Sequence, residues 1–527
     1  MLVARKVLVL VLIAVLAAGF AGCAQGPAQP KTLVIANPGD IETIDNDRSV
    51  GPAKNAIINF AEWQWIGYGQ KTGANDVLMS DTTKLVPRVV ESWKVEPQPD
   101  GTCKYTLKVR KGVTFHSGNE LTAEDLKFGM LRRAGLERDW LENTQGFWFA
   151  SEDTCKVIDK YTLECTTERQ GLFLHIYTQR WVLDSKLVKE NSAADDPWGT
   201  KYLAKNPATG GAFKVTTWVP GVEMVMERFP EWWGPKPKLD KIVWRVIPSV
   251  SDRVLLLKAG EVDVAMDLPV KEINALKGTP GVKIVTAPST NQLFIAMNPQ
   301  MPPFDNLKLR QAFSYAFPYQ EVIDNIYKGA ATDMPGPVPV GVPGHTQPTR
   351  RFTTDLDKAR QLLQESGLSN VEVTLTYNAG FQTHEDIAII FQNSLTQIGV
   401  KCNLEKLASG QFNSLLLKKQ VPFFFYEALA WIRSPGYILN MNFQSTAHTN
   451  QWDYRNAAVD DLLARAGLEN DPATANAMFK QIEGILLEDA PMINIAQPNF
   501  NLAMRDNLTG YVVQNTELHH FWLLDKK

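Results

Sequence analysis

Between residues 371 and 407 the chain writes a strand, a helix and a strand with almost nothing between them. Val371–Tyr377 alternates apolar and polar side chains (VEVTLTY). His384–Ile398 repeats apolar residues at Ile387, Ile390, Phe391, Leu395 and Ile398, and Val400–Leu407 follows directly after Gly399. Alternation marks a strand with one buried face, and the three-to-four spacing marks a helix with one buried stripe. A helix joined to strands by loops this short must run back along the sheet, which leaves the two strands parallel. Such a unit is stable only in a sheet covered by helices, so an all-β, all-α or fibrous chain is excluded. Gln411–Lys418 and Val421–Glu427 extend the series, and helices are expected at Asp305–Phe317, Ala457–Ala466 and Thr474–Leu487. From about residue 290 onward the pattern therefore predicts a mostly parallel sheet. The five prolines and three glycines of Pro335–Pro348 make a connecting loop.

The first half reads differently. Strands are expected at Lys31–Ala36, Cys103–Val109, Ala212–Trp218, Val222–Arg228 and Leu239–Ile247, a hairpin at Val157–Thr167, and a helix at Ser251–Lys258 that stops at Gly260. With 527 residues the chain has length for two to four domains.

Met1–Lys6 is basic, Val7–Ala18 is an unbroken apolar run, and small residues lead to Phe20-Ala21-Gly22-Cys23. A basic start, a short apolar core and a small-residue cut site make a secretory signal over 1–22. Its end resembles the lipobox of bacterial lipoproteins, with Phe20 where Leu is usual. That resemblance implies lipidation at Cys23, a tether over 23–30 and a body held outside the cytoplasmic membrane. A plain signal peptide or a short anchor is the alternative. Four cysteines remain: Cys103, Cys155, Cys165 and Cys402. A three-residue loop at 159–161 would set Cys155 opposite Cys165, as a cross-strand disulfide or as two buried thiols. The net charge of −3 shows no basic excess, which argues against nucleic acid as a partner.

Catalytic motifs are missing. The sequence holds no phosphate loop, no HExxH and no GxSxG. The seven histidines show no zinc spacing, and the adjacent His519 and His520 would face opposite ways on a strand. The expectation is a binding protein without metal, cofactor or catalytic residues.

Four stretches carry a resemblance. They are Leu85–Arg132 (LVPRVVESWKVEPQPDGTCKYTLKVRKGVTFHSGNELTAEDLKFGMLR), Ala208–Val264 with TGGAFKV and EWWGPKPKLDKIVWRVIP, Pro302–Lys328 with PPFDNLKLRQAFSYAF, and Asp489–Tyr511. Together they resemble the family-5 extracytoplasmic solute-binding proteins of ABC importers, the oligopeptide, dipeptide and nickel group. The resemblance implies an α/β, periplasmic-binding-protein-like fold of two lobes around a cleft, with mixed sheets flanked by helices. It implies three domains: domain I from 31–72, 206–288 and 492–527, an inserted domain II over 73–205, and domain III over 289–491. The implied function is a monomeric receptor that closes on a peptide or peptide-like solute and delivers it to ABC permease subunits with cytoplasmic ATPases. A receptor for oligosaccharide or opine-like anions, a nickel or haem carrier and a secreted hydrolase are the rivals.

In peptide-binding relatives a Trp after the third-domain strand is followed by an Asp that pairs with the peptide amine. Here Trp431 and Pro435 match, but only Ile432, Arg433 and Ser434 lie between, and no Asp is present. Arg433 offers instead a fork for a carboxylate or phosphate, or else a surface or hinge ion pair. Trp431 is a stacking wall or a packing residue. Trp63, Trp65 and Tyr68 wall the cleft or fill a core. Asn37 and Asn298 end strands and could give amide contacts to a ligand.

Overall fold

A computed structural model describes residues 30–41, 43–45, 47–48, 64–73, 76–136, 150–167, 173–345, 352–469, 471–514 and 520–527. Cys23, Trp63, the signal segment and His519 lie outside them.

The strand–helix–strand unit forms as its sequence requires. Strands Glu372–Asn378 and Lys401–Leu407 pair in parallel, with Val373 beside Cys402 and Leu375 beside Leu404. The helix between them, Gln382–Gln397, buries Ile387, Phe391 and Leu395. It ends at Gly399, whose φ of +85° is the left-handed conformation that closes a helix and suits a residue without Cβ. Lobe 2 is built on this unit. Its six strands lie in the order Ala331–Asp333, Met492–Pro498, Gln292–Met297, Phe423–Ala428, Glu372–Asn378, Lys401–Leu407.

That sheet is mixed rather than mostly parallel. Gln292–Met297 pairs antiparallel with both Met492–Pro498 and Phe423–Ala428. Its partner Met492–Pro498 comes from nearly two hundred residues away, a pairing that local periodicity does not encode. Met492–Pro498 bonds within this sheet, and Phe500–Arg505, two residues on, bonds within the seven-stranded sheet of lobe 1.

Lobe 1 holds a seven-stranded sheet in the order Val282–Ala287, Phe500–Arg505, Val264–Ala265, Thr32–Asn37, Lys241–Val246, Glu223–Arg228, Phe213–Val219. A four-stranded sheet of Val90–Pro97, Cys103–Val109, Thr162–Thr167 and Cys155–Asp159 forms the inserted layer. One cluster of buried side chains runs from that layer (Tyr105, Leu107, Phe115) through Trp65 to Phe424, Ile432 and Tyr437 of lobe 2. The helix Ala123–Gly135 is tied to the N-terminal segment by Arg132. Its guanidinium, fully buried, donates to Asp45 (2.6 and 3.0 Å) and to Asp47 (2.6 Å).

The polarity of the strands locates the cleft. The lobes are joined where Val282–Ala287 passes into Gln292–Met297 and where Met492–Pro498 passes into Phe500–Arg505. Through Phe500–Arg505, Val282–Ala287 runs in the same sense as Val264–Ala265 and Thr32–Asn37. All three therefore end at the crossing. In lobe 2, Ala428 pairs with Gln292, so Phe423–Ala428 also ends there. Carboxyl ends of strands from both lobes thus face each other, the usual place for a ligand in such sheets. The opposite pole of lobe 1 brings residues 31–32 and 525–526 together: Lys31 Nζ pairs with Asp525 (2.9 Å), and Lys526 Nζ reaches Thr32 O (2.9 Å) and Asp263 (2.8 Å).

Candidate functional site

Arg433 stands five residues beyond Ala428, in the turn before the helix Pro435–Phe443. Ser434 occupies the N-cap and Pro435 the first helical position, where a missing N–H costs nothing. The guanidinium comes to rest half-buried, its Nε enclosed and without a hydrogen-bond partner. Among the described residues it makes no ion pair. Loss of water lowers its pKa from 12.5 to about 10, with Tyr68 holding it up slightly. It remains charged at neutral pH.

Tyr68 approaches from the other lobe. It lies on the strand Ile66–Thr72, nearly buried, with its hydroxyl 3.1 Å from His175 Nδ1. Thr178, one helical turn on, also bonds that hydroxyl and donates to His175 O (2.7 Å). Burial raises the Tyr68 pKa and lowers that of His175, so the phenol stays protonated and the imidazole neutral; the Arg433 charge opposes the rise at Tyr68. The result is a cation that no described residue pairs, beside two neutral hydrogen-bonding groups, set between the lobes next to a helix start whose dipole adds positive potential. That arrangement suits an anionic group such as a carboxylate. The sequence marked Arg433 by what it replaces and named Tyr68 only within an aromatic cluster. His175 carried no signal.

The other expected contacts fall in different places. Trp431 is half-buried and its ring packs on the core that runs between the lobes. Trp65 is 1% exposed, stacked on Tyr177 at 4.3 Å, with its indole N–H donating to Trp181 O (3.3 Å). It therefore fills the core and not the cleft wall. Asn37 does end its strand at the cleft, but its side chain is buried; its amide nitrogen donates to Gly39 O (2.8 Å) and its oxygen is left without a partner. Asn298 follows the far end of Gln292–Met297, about 20 Å of strand away from the crossing. Its side chain accepts from Gln300 N (2.9 Å) and shapes a turn, so it does not join Arg433.

Cys155 and Cys165 are direct partners in register and stand as buried thiols against Met130. The expected three-residue loop is not what aligns them. Asp159 pairs with Thr162, leaving a two-residue turn at Lys160 and Tyr161, and an irregularity between Val157 and Asp159 restores the register. Cys103 and Cys402 are buried, and burial raises the pKa of each, to about 11 for Cys402. Neither is a poised nucleophile.

The model of the bacterial extracellular solute-binding proteins, family 5 (middle), matches residues 84–450. The chain is 26% identical over 437 residues to the probable D,D-dipeptide-binding periplasmic protein DdpA of Escherichia coli (strain K12), covering 82% of this chain and 83% of that protein. It is 27% identical over 442 residues to the glutathione-binding protein GsiB of the same strain, covering 81% and 83%. Among solved structures, the periplasmic binding protein DppA from Helicobacter pylori in complex with the peptide STSA superposes with a TM-score of 0.81 at 22% identity. That superposition covers 94% of this chain and 98% of the other.

Proposed function

The chain belongs to family 5 of the bacterial extracellular solute-binding proteins, and from that premise we propose that it captures a peptide or peptide-like solute whose anionic end is held by Arg433. Members of this family are binding proteins of ABC importers, not enzymes, and they work outside the cytoplasmic membrane. The partner that receives the solute is accordingly an ABC permease.

The observation that carries the reading is the half-buried guanidinium of Arg433 between the lobes, which makes no ion pair among the described residues and whose Nε has no hydrogen-bond partner. A buried charge without a partner is costly, and a bidentate carboxylate is its natural complement. Tyr68 and His175 come from the opposite lobe, so a ligand touching all three would favour the closed form. Lipidation at Cys23, a monomeric state and a wall formed by Trp431 belong to the same proposal. So does the division into domain I (31–72, 206–288 and the C-terminal stretch from 499), domain II (73–205) and domain III. It is supported by the seven-stranded sheet, which draws strands from all three stretches of domain I.

The test is native mass spectrometry of the purified protein after exposure to a casein hydrolysate, with carboxyl groups free or amidated. Retention of free-carboxyl peptides, lost on amidation and in Arg433→Met, is the expected result. Retention of amidated peptides equally well would remove Arg433 from the site. Retention of sugar acids or opine-like conjugates from a parallel mixture, and of no peptide, would change the solute class.

A further inference from the structure

The two segments that join the lobes pair with each other on either side of the crossing but not within it. On the lobe 1 side the last partners are Ala287 and Phe500, and on the lobe 2 side the first are Leu293 and Ala496. Between them residues 288–292 stand against the shorter run 497–499, and among the described residues no backbone pair joins the two. Segments of unequal length cannot carry a regular ladder. Side chains take its place. Gln497, 1% exposed, donates through Nε2 to Ser289 O (3.2 Å) and Val340 O (3.0 Å), and its Oε1 accepts from Val340 N (2.7 Å). Ser289 Oγ donates to Pro498 O (2.5 Å) and accepts from Asn291 N (3.0 Å). One amide thus holds both crossings and both main-chain groups of Val340.

Val340 belongs to the proline-rich loop 335–345, which is anchored in lobe 2. Val338 N donates to the Glu483 carboxyl, and His345 Nδ1 bonds Val338 O at 3.0 Å. Val338 and Val342 are buried in one cluster with Ile482 and with Tyr437, which lies on the helix that follows Arg433. The loop therefore reaches from the packing behind that helix to the crossing. The same cluster includes apolar side chains of both lobes, so the clasp belongs to a form in which the lobes touch. Thr290, next to Ser289, is 2% exposed, and its hydroxyl has no hydrogen-bond partner. A buried orphan hydroxyl costs free energy in this form. Bending that lets water reach Thr290 removes the cost, while the bonds of Gln497 oppose the bending. A hinge balanced in this way has two states of similar free energy.

We propose that Gln497 is a positioning residue of the hinge: with Ser289 and Val340 it clasps both crossings to the loop 335–345 when the lobes are closed, and opening undoes the clasp. The loop is then a strut that lets packing behind the Arg433 helix bear on the hinge. This goes beyond the Arg433 reading and holds whatever class of solute the cleft takes.

The experiment has two readouts on the purified protein, and neither needs a solute. Amide hydrogen exchange should show Val340 protected, and Gln497→Met, which keeps the length and removes the bonds, should release it. Spin labels on exposed sites of the two lobes, Leu255→Cys and Leu468→Cys, report the separation of the lobes by electron double resonance. Each net hydrogen bond is worth about two- to tenfold in an equilibrium. Gln497→Met should therefore lower the ratio of closed to open protein at least that much, and Ser289→Ala, which removes only the bond to Pro498 O, by about the lower figure. The serine variant carries the test if the glutamine variant does not fold. A Val340 amide that exchanges as fast as a free loop amide in the unaltered protein overturns the clasp. Protection at Val340 with the same distance distribution in the variants makes Gln497 a purely structural residue, and overturns the proposal even if the thermal melt falls. Failure to retain any peptide would count against the Arg433 reading alone.

Discussion

Replacing Arg433 with methionine should make the ligand-free protein more stable and the receptor worse. Burial brings the Arg433 pKa from 12.5 down to about 10, and at 1.36 kcal/mol per pH unit that is roughly 3 kcal/mol against the charge in the folded chain. The sign is that of a depressed base. Folded and unfolded chains both carry the proton at pH 7, so the whole cost is present there, and it would fade only between pH 10 and 12.5. Arg433 keeps some contact with water, which screens part of this, so a gain of about 1–3 kcal/mol is the expectation for methionine. For a chain of this length unfolding entropy makes that a rise of about 1–3 °C in Tm. The same change removes the partner of a buried carboxylate, which costs about 2–5 kcal/mol of binding, or roughly 30-fold or more in Kd. Arg433→Lys keeps the charge without the fork and should fall between. Differential scanning calorimetry and titration with a retained peptide measure both quantities on one preparation. A lower Tm with unchanged affinity would refute the reasoning, because it would make Arg433 a structural residue whose partner is the protein itself.

Arg132→Met should act in the opposite way: it strands the buried Asp45 carboxylate, while Asp47 keeps Arg133 at 2.6 Å, so about 3–5 kcal/mol of stability is lost, visible as a lower denaturation midpoint. Cys155 and Cys165 form a non-hydrogen-bonded cross-strand pair, since Cys155 N bonds Ser151 O. Their Cα atoms then lie about 4.5 Å apart, within disulfide range; exported protein should weigh two hydrogens less than its reduced form, and two reactive thiols in unfolded exported protein would refute it. Glu483 is 3% exposed and burial raises its pKa from 4.5 to about 8. The folded chain binds that proton more tightly than the unfolded one, so stability is full below about pH 4.5 and is lost as pH rises through 8. Glu483→Gln should flatten that fall in a pH series of urea melts.

The parts of the fold that depend on near neighbours were legible. Gln382–Gln397 and its two parallel strands follow from periodicity and a terminal glycine. The antiparallel half of lobe 2 was not, because Met492–Pro498 and Gln292–Met297 meet only in three dimensions. Asn298 shows why strand ends mislead: one end of a strand faces the cleft and the other faces away, and the residue alone does not say which. Trp65 was ambiguous for a related reason, since an aromatic ring has the same chemistry in a core and on a wall. Arg433 could be found because it stands where a carboxylate was expected.

The pairing of Lys31 with Asp525, and of Lys526 with Thr32 and Asp263, holds residues 31–32 and 525–526 together on one pole of lobe 1. Fluorophores attached beside residues 31 and 526 would ride the same half, and their separation would hardly change as solute arrives. A reporter of closure therefore has to straddle the hinge, with one dye on lobe 1 and the other on an exposed site of lobe 2 such as Leu417 or Leu468. By the same geometry, immobilising the protein beside residue 31 or 526 leaves the mouth of the cleft unobstructed, which suits a capture surface or an affinity resin for whatever solute it collects.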